Sequence, residues 1–125
     1  MEIKERLRFF FQNRGYDLKR IKGFNDDVEV IIKALNKQDA LCALDLYSDL
    51  NIPILGGDVL FLNDNGLIEY TYDSWYSIPL ESESYSTFLF RSIEVSRNYI
   101  INYNNPFIKA SSILFDIIPD YKDIH

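Results

Sequence analysis

The chain has 125 residues, of which 47% are hydrophobic and 26% charged, and these values are typical of a single folded domain rather than a disordered segment. Its formal net charge is −6, and residues 38–125 alone carry four bases against thirteen acids. From its length we expect one domain over residues 1–125. We expect no binding to DNA or RNA, because affinity for nucleic acid comes mainly from cations that meet phosphates.

Hydrophobic spacing predicts two helices and one strand in the first half of the chain. Residues 2–13 form one helix, because Ile3, Leu7, Phe10 and Phe11 fall on one stripe at helical period. Residues 16–26 are expected to be irregular, and residues 28–34 alternate like a strand, with a short helix as the alternative. Asn36 is the predicted N-cap of a helix over 37–50.

The second half predicts a hairpin, a long helix and a final strand. Residues 54–62 are nearly all apolar, which indicates a strand covered on both faces. The turn at 63–66 supplies the Asn-Gly pair typical of hairpins, and residues 67–76 form the return strand. A loop over 77–84 precedes a helix that begins at 85 and ends near 104, and residues 107–118 are the predicted last strand. This order predicts an α+β fold, with about three helices packed on a mainly antiparallel sheet of about four strands.

The return strand alternates between two faces of different composition. Ile68, Tyr70, Tyr72 and Tyr76 lie on the face that we expect to be core. The face that we expect to meet solvent holds the residues Glu69, Thr71, Asp73 and Trp75.

The residues for common catalytic and metal chemistry are scarce. The only histidine is His125, so a nucleophile activated by histidine has no candidate base in the body of the chain. Zinc needs clusters of histidine and cysteine, and the hairpin turn fails the calcium-loop pattern. We expect no catalytic residues, no cofactor and no metal. A carboxylate pair such as Glu69 and Asp73 leaves a hydrolase as an alternative.

Compartment and membrane association follow from the termini and the single cysteine. Cys42 is the only cysteine, so an internal disulfide cannot form, and we expect its side chain to be a buried, inert thiol. The chain starts with charged residues, and no apolar run approaches the roughly 20 residues that span a bilayer. These features predict a cytoplasmic protein without a membrane segment.

An acidic, aromatic surface is the main functional signal. Between Gln38 and Phe90 there is no lysine or arginine, whereas the same stretch holds nine carboxylates. Such a surface suits a positively charged partner. Trp75 is either its exposed anchor or a cap on the core. The candidate contact residues are Asp58, Glu69, Asp73, Trp75, Tyr76, Glu81 and Glu83.

Two short motifs carry a family resemblance. They are Ile54-Leu55-Gly56-Gly57-Asp58 and, after the hairpin, Tyr72-Asp73-Ser74-Trp75-Tyr76. Together they resemble the immunity protein 40 family of bacterial polymorphic toxin systems, over roughly residues 25–118. The resemblance implies a non-enzymatic cytoplasmic antidote that binds a cognate toxin domain and blocks its active site or substrate groove. If that groove is basic, an acidic inhibitor complements it.

The sequence leaves rival functions open. An adaptor or regulatory module could bind a basic protein through the same surface. A carboxylate-dependent hydrolase would instead need a deep cleft that holds Glu69 or Asp73 beside another acid. A third possibility is a structural homo-oligomer that forms through an uncovered edge strand such as 107–118. Monomer and homodimer are not distinguished by these patterns.

Overall fold

The computed structural model describes residues 2–22 and 29–121. The helices are α1 (Ile3–Phe11), α2 (Lys37–Asp49) and α3 (Tyr85–Asn102), with a short 3-10 turn at Ala110–Ser112. The strands are β1 (Tyr16–Lys22), β2 (Glu29–Ala34), β3 (Ile54–Leu62), β4 (Ile68–Tyr76), β5 (Ile113–Phe115) and β6 (Ile118–Pro119). The α+β prediction is confirmed, since the helices accompany a four-stranded antiparallel sheet and a small two-stranded one.

The strand β3 is the centre of the larger sheet. It pairs antiparallel with β4 on one side and with β5 and β6 on the other. The smaller sheet pairs β1 with β2 and is linked to the larger one by a bridge between Leu35 and Phe115. Among the described strands β4 is therefore an edge, with no strand paired on its outer side.

Apolar side chains cover β3 on both faces, as its continuous apolar sequence predicts. On one face α2 and α3 pack against the sheet, and the main core gathers residues such as Leu44, Val59 and Phe115. On the other face a smaller cluster joins Ala34 of β2 to Leu60 of β3. That cluster continues toward the hairpin end of the larger sheet.

Local signals for helix starts and for the hairpin are confirmed. The Asn36 side chain accepts a hydrogen bond from the Asp39 N–H at 2.8 Å and caps α2. In the hairpin, Asn63 Oδ1 accepts from the N–H groups of Asn65 and Leu67 at 2.9 and 3.0 Å. Gly66 has a φ of 77°, the left-handed conformation that the turn requires.

Two segment predictions are wrong. Residues 16–26 were expected to be irregular, but Tyr16–Lys22 is a strand, because its backbone pairs with β2 over the whole of that strand. The rest of that segment, residues 23–26, lies outside the described residues. The predicted strand 107–118 is reduced to Ile113–Phe115 and Ile118–Pro119. The buried Asp116 separates these two, and its carboxylate accepts a hydrogen bond from the Asp58 N–H.

Candidate functional site

Trp75 lies in the core, so the expectation that it faces solvent is wrong. Its side chain is only 6% exposed and stacks on Tyr99 of α3, with ring centroids 4.8 Å apart. The indole N–H donates a hydrogen bond to Ser96 Oγ at 2.9 Å. Gly57 lies opposite Trp75 in the sheet, and a Cβ at that position would overlap the indole ring and the Asp116 carbonyl oxygen. The ring therefore occupies the space that the missing side chain leaves.

The two serines of α3 below this ring explain how the helix approaches the sheet. Ser92 and Ser96 are both fully buried. Ser92 Oγ accepts a hydrogen bond from the Ile54 N–H at 3.0 Å, and Ser96 Oγ donates to the Ser92 carbonyl at 2.8 Å. Small polar side chains thus satisfy a strand N–H and the indole N–H in a place where larger residues would hold the helix away.

Asp73 and Glu69 are both engaged by neighbouring polar groups. The Tyr103 hydroxyl donates to the Asp73 carboxylate at 2.6 Å, and the Asn63 amide donates to Glu69 at 3.0 Å. Burial, followed by the hydrogen bond to Asp73, raises the pKa of the Tyr103 phenol. Asp73 thus ties β4 to the end of α3, while Glu69 braces the hairpin. We find no second acid hydrogen-bonded to either carboxylate among the described residues.

Glu83 is part of the framework of the loop after β4. Its side chain is 5% exposed and accepts hydrogen bonds from the Arg91 guanidinium at 2.7 and 2.8 Å. It also accepts from the Leu80 N–H at 2.9 Å, and Arg91 donates to the Ile78 carbonyl at 2.7 Å. The hydrogen bonds from Arg91 lower the pKa of Glu83 to about 2. Glu81, two residues earlier, is exposed.

Asp58 and Tyr76 are the two predicted contact residues that lie together on an open face. Across β3 and β4, Asp58 pairs with Ser74 and Gly56 pairs with Tyr76. All four residues border one shallow depression of about 230 Å³. Tyr76 is 75% exposed, and the Asp58 side chain is half-buried. The expectation that Tyr70, Tyr72 and Tyr76 form a core face is wrong, because all three are exposed.

Several surface residues were missed by the sequence analysis. Tyr72 is 92% exposed, and Ile78 and Leu80 in the following loop are 62% and 60% exposed. Apolar side chains at the surface are unremarkable when single, but an adjacent group of them marks an interaction site. Other strongly exposed rings, Phe9 and Phe107 among them, lie on different elements. We call the following set the edge surface: Asp58, Tyr72, Tyr76, Ile78, Leu80 and Glu81.

Asp58 and Glu81 of the edge surface have no described ion pair, although the Arg91 guanidinium reaches the Ile78 carbonyl and is itself paired with Glu83. The described ion pairs of Arg14, Lys33, Arg91 and Arg97 go to acids outside the edge surface. Among described side chains, no lysine or arginine lies within ion-pair distance of Asp58 or Glu81. In the same part of the chain, no three histidine, cysteine or carboxylate side chains cluster as a metal site. The sole cysteine, Cys42, is exposed rather than buried, which corrects its predicted position.

The described part of the chain is thus an α+β domain with an exposed, partly apolar strand edge. The family model described as Immunity protein 40 matches residues 26–119, which are 94 of the 125 residues. The chain belongs to the immunity protein 40 family, and members of such families are generally non-enzymatic. Neither a curated protein nor a solved structure matches the chain. No helix within the described ranges is long and apolar enough to cross a bilayer.

Proposed function

We propose that this protein neutralises a cognate bacterial polymorphic toxin in the cytoplasm by direct protein–protein binding through the edge surface. The observation that carries the proposal is that β4 and the loop after it hold exposed apolar side chains and an exposed acid, Glu81, in a member of an immunity family. Apolar and aromatic groups supply most of the binding free energy at interfaces. Acids that form no ion pair of their own favour a partner whose groove is basic.

The proposal changes the set of contact residues drawn from the sequence. Asp58, Tyr76 and Glu81 remain as contacts, and Tyr72, Ile78 and Leu80 are added. Glu69, Asp73 and Glu83 are assigned to positioning, because each accepts hydrogen bonds from a neighbouring element or loop. The buried Trp75 supports the strand that carries the surface and makes no direct contact with the toxin.

Co-expression tests this function. The polypeptide encoded immediately upstream of this protein is expressed with and without it, and growth and complex formation on a sizing column are recorded. We expect growth arrest that the wild-type protein relieves, together with a stable complex. A double variant with Tyr76→Ala and Ile78→Ser should lose both effects, while Phe107→Ala, a change at another exposed ring, should keep both.

The outcomes separate the parts of the proposal. Absence of rescue by the wild-type protein would overturn the antidote function. Rescue without a detectable complex would overturn direct binding. If the double variant rescues as well as the wild type while folded, the edge surface is not the contact surface.

A further inference from the structure

A bulge in β4 places one tyrosine apart from the rest of the strand. Between the pairs Asp58–Ser74 and Leu60–Tyr70, β3 advances two residues whereas β4 advances four. Three β4 residues, at 71–73, therefore lie opposite Val59 alone. At the middle of this bulge Tyr72 has a φ of 70°, a left-handed conformation that is an outlier for a bulky side chain.

The residues on both sides of Tyr72 are held by hydrogen bonds. Thr71 Oγ1 donates to the Val59 carbonyl at 2.8 Å and accepts from the Asp73 N–H at 3.0 Å. The Asp73 carboxylate accepts from the Tyr103 hydroxyl on the helix side. A strained backbone persists only where its surroundings hold it in place, and such positions are frequent at functional sites. Here the neighbours hold the backbone of a residue whose phenol ring is 92% exposed.

We propose that Tyr72 is the anchor of the interface, and that it enters a pocket of the cognate toxin domain whose rim carries lysine or arginine. This inference rests on the function proposed above. Tyrosine is enriched among residues that dominate binding energy, and a backbone that is already held in place needs little further ordering on binding. The partner's cations are inferred from charge: Asp73 is adjacent in sequence, and no described lysine or arginine pairs with it.

The same bulge disfavours a different mode of binding, in which the toxin adds a strand to the edge of β4. Strand addition needs a regular row of backbone N–H and C=O groups. Bulges interrupt that row and are one way in which proteins protect sheet edges. The two extra residues near Tyr72 break the row in the middle of β4, so a side-chain anchor fits this edge better than a paired strand.

The test compares two variants by their affinity for the purified toxin domain encoded upstream. Tyr72→Gly removes the ring and suits the left-handed backbone, so the fold is retained. Phe107→Ala is the matched control, because that ring is as exposed as Tyr72 but lies outside the edge surface. We expect Tyr72→Gly to weaken binding about 30-fold or more, mainly through faster dissociation, and the control to stay within about twofold.

Each outcome decides the inference. A wild-type complex that Tyr72→Gly weakens less than about threefold refutes the anchor and leaves the proposed function intact. Equal losses in both variants refute it as well, because the effect would not be specific to the bulge. Failure of the wild-type protein to bind the toxin domain overturns the proposed function and the anchor together. If the affinity of the wild-type protein for the toxin domain does not fall as the salt concentration rises, the basic rim is refuted.

Discussion

Replacement of Trp75 by alanine should destabilise the protein strongly, because its ring is a central part of the core. A buried aromatic side chain of this size removes on the order of 150–250 Å² from water. At about 25 cal/mol per Å² this corresponds to about 4–6 kcal/mol, and measured substitutions of buried tryptophan or phenylalanine by alanine cost about 3–5 kcal/mol. Ser96 Oγ would also lose its donor. We therefore expect Trp75→Ala to lower the free energy of unfolding by about 3–5 kcal/mol.

Urea unfolding followed by far-ultraviolet circular dichroism measures this loss, since the variant lacks the only tryptophan. Tyr76→Ala is the control, because Tyr76 is the next residue on the same strand and is exposed, so its substitution should change stability by less than about 0.5 kcal/mol. In the wild type, the single tryptophan should be shielded from acrylamide until the protein unfolds. A stability loss below about 1 kcal/mol in Trp75→Ala, or ready quenching in the native state, would refute a buried Trp75.

Four further outcomes follow from the site. The pKa of Glu83 is about 2 in the folded protein and 4.5 ordinarily, so its contribution to the free energy of unfolding is fully present above pH 4.5 and is lost as the pH falls toward 2. Glu83→Gln should therefore flatten the dependence of the free energy of unfolding on pH between these two values. Gly57→Ala should lower the free energy of unfolding by about 1–3 kcal/mol in urea titrations, because its Cβ overlaps a carbonyl oxygen. Tyr72→Gly should raise the free energy of unfolding by up to about 1 kcal/mol through relief of strain, and a calorimetric melting temperature below that of the wild type would contradict this. Asp58→Asn combined with Glu81→Gln should slow association with the toxin domain and reduce its salt dependence, as stopped-flow measurements would record.

The elements that sequence predicts well are those set by local signals. The helices follow from apolar period and from caps such as Asn36, and the β3–β4 hairpin follows from its Asn-Gly turn. Strand β1 was missed because Asp17 and its charged neighbours give no apolar alternation, and pairing with β2 defines it instead. The last strand was drawn too long, since an apolar run does not reveal that Asp116 turns inward to bind the Asp58 N–H.

The candidate site shows a different limit, because alternation tells which residues share a face and not which face is buried. The tyrosines of β4 suggested one core face, yet the face of Trp75 is the one that packs against α3. The decision depends on Gly57, which leaves room for the ring, and on Ser96, which accepts its N–H. Both partners are distant in sequence from Trp75, so only the folded chain brings these determinants together.

The bulge of β4 connects stability and binding in one feature. Thr71 and Asp73 use their side chains to hold the bulge against β3 and α3, which keeps the unpaired edge from presenting a regular strand to other chains. The same hydrogen bonds leave Tyr72 in a strained, exposed position that contributes nothing to the core. Backbone strain of this kind is frequent at functional sites, which is why we propose Tyr72 as the anchor. In the binding mode that we propose, the neighbouring Asp73 would favour a partner with basic groups.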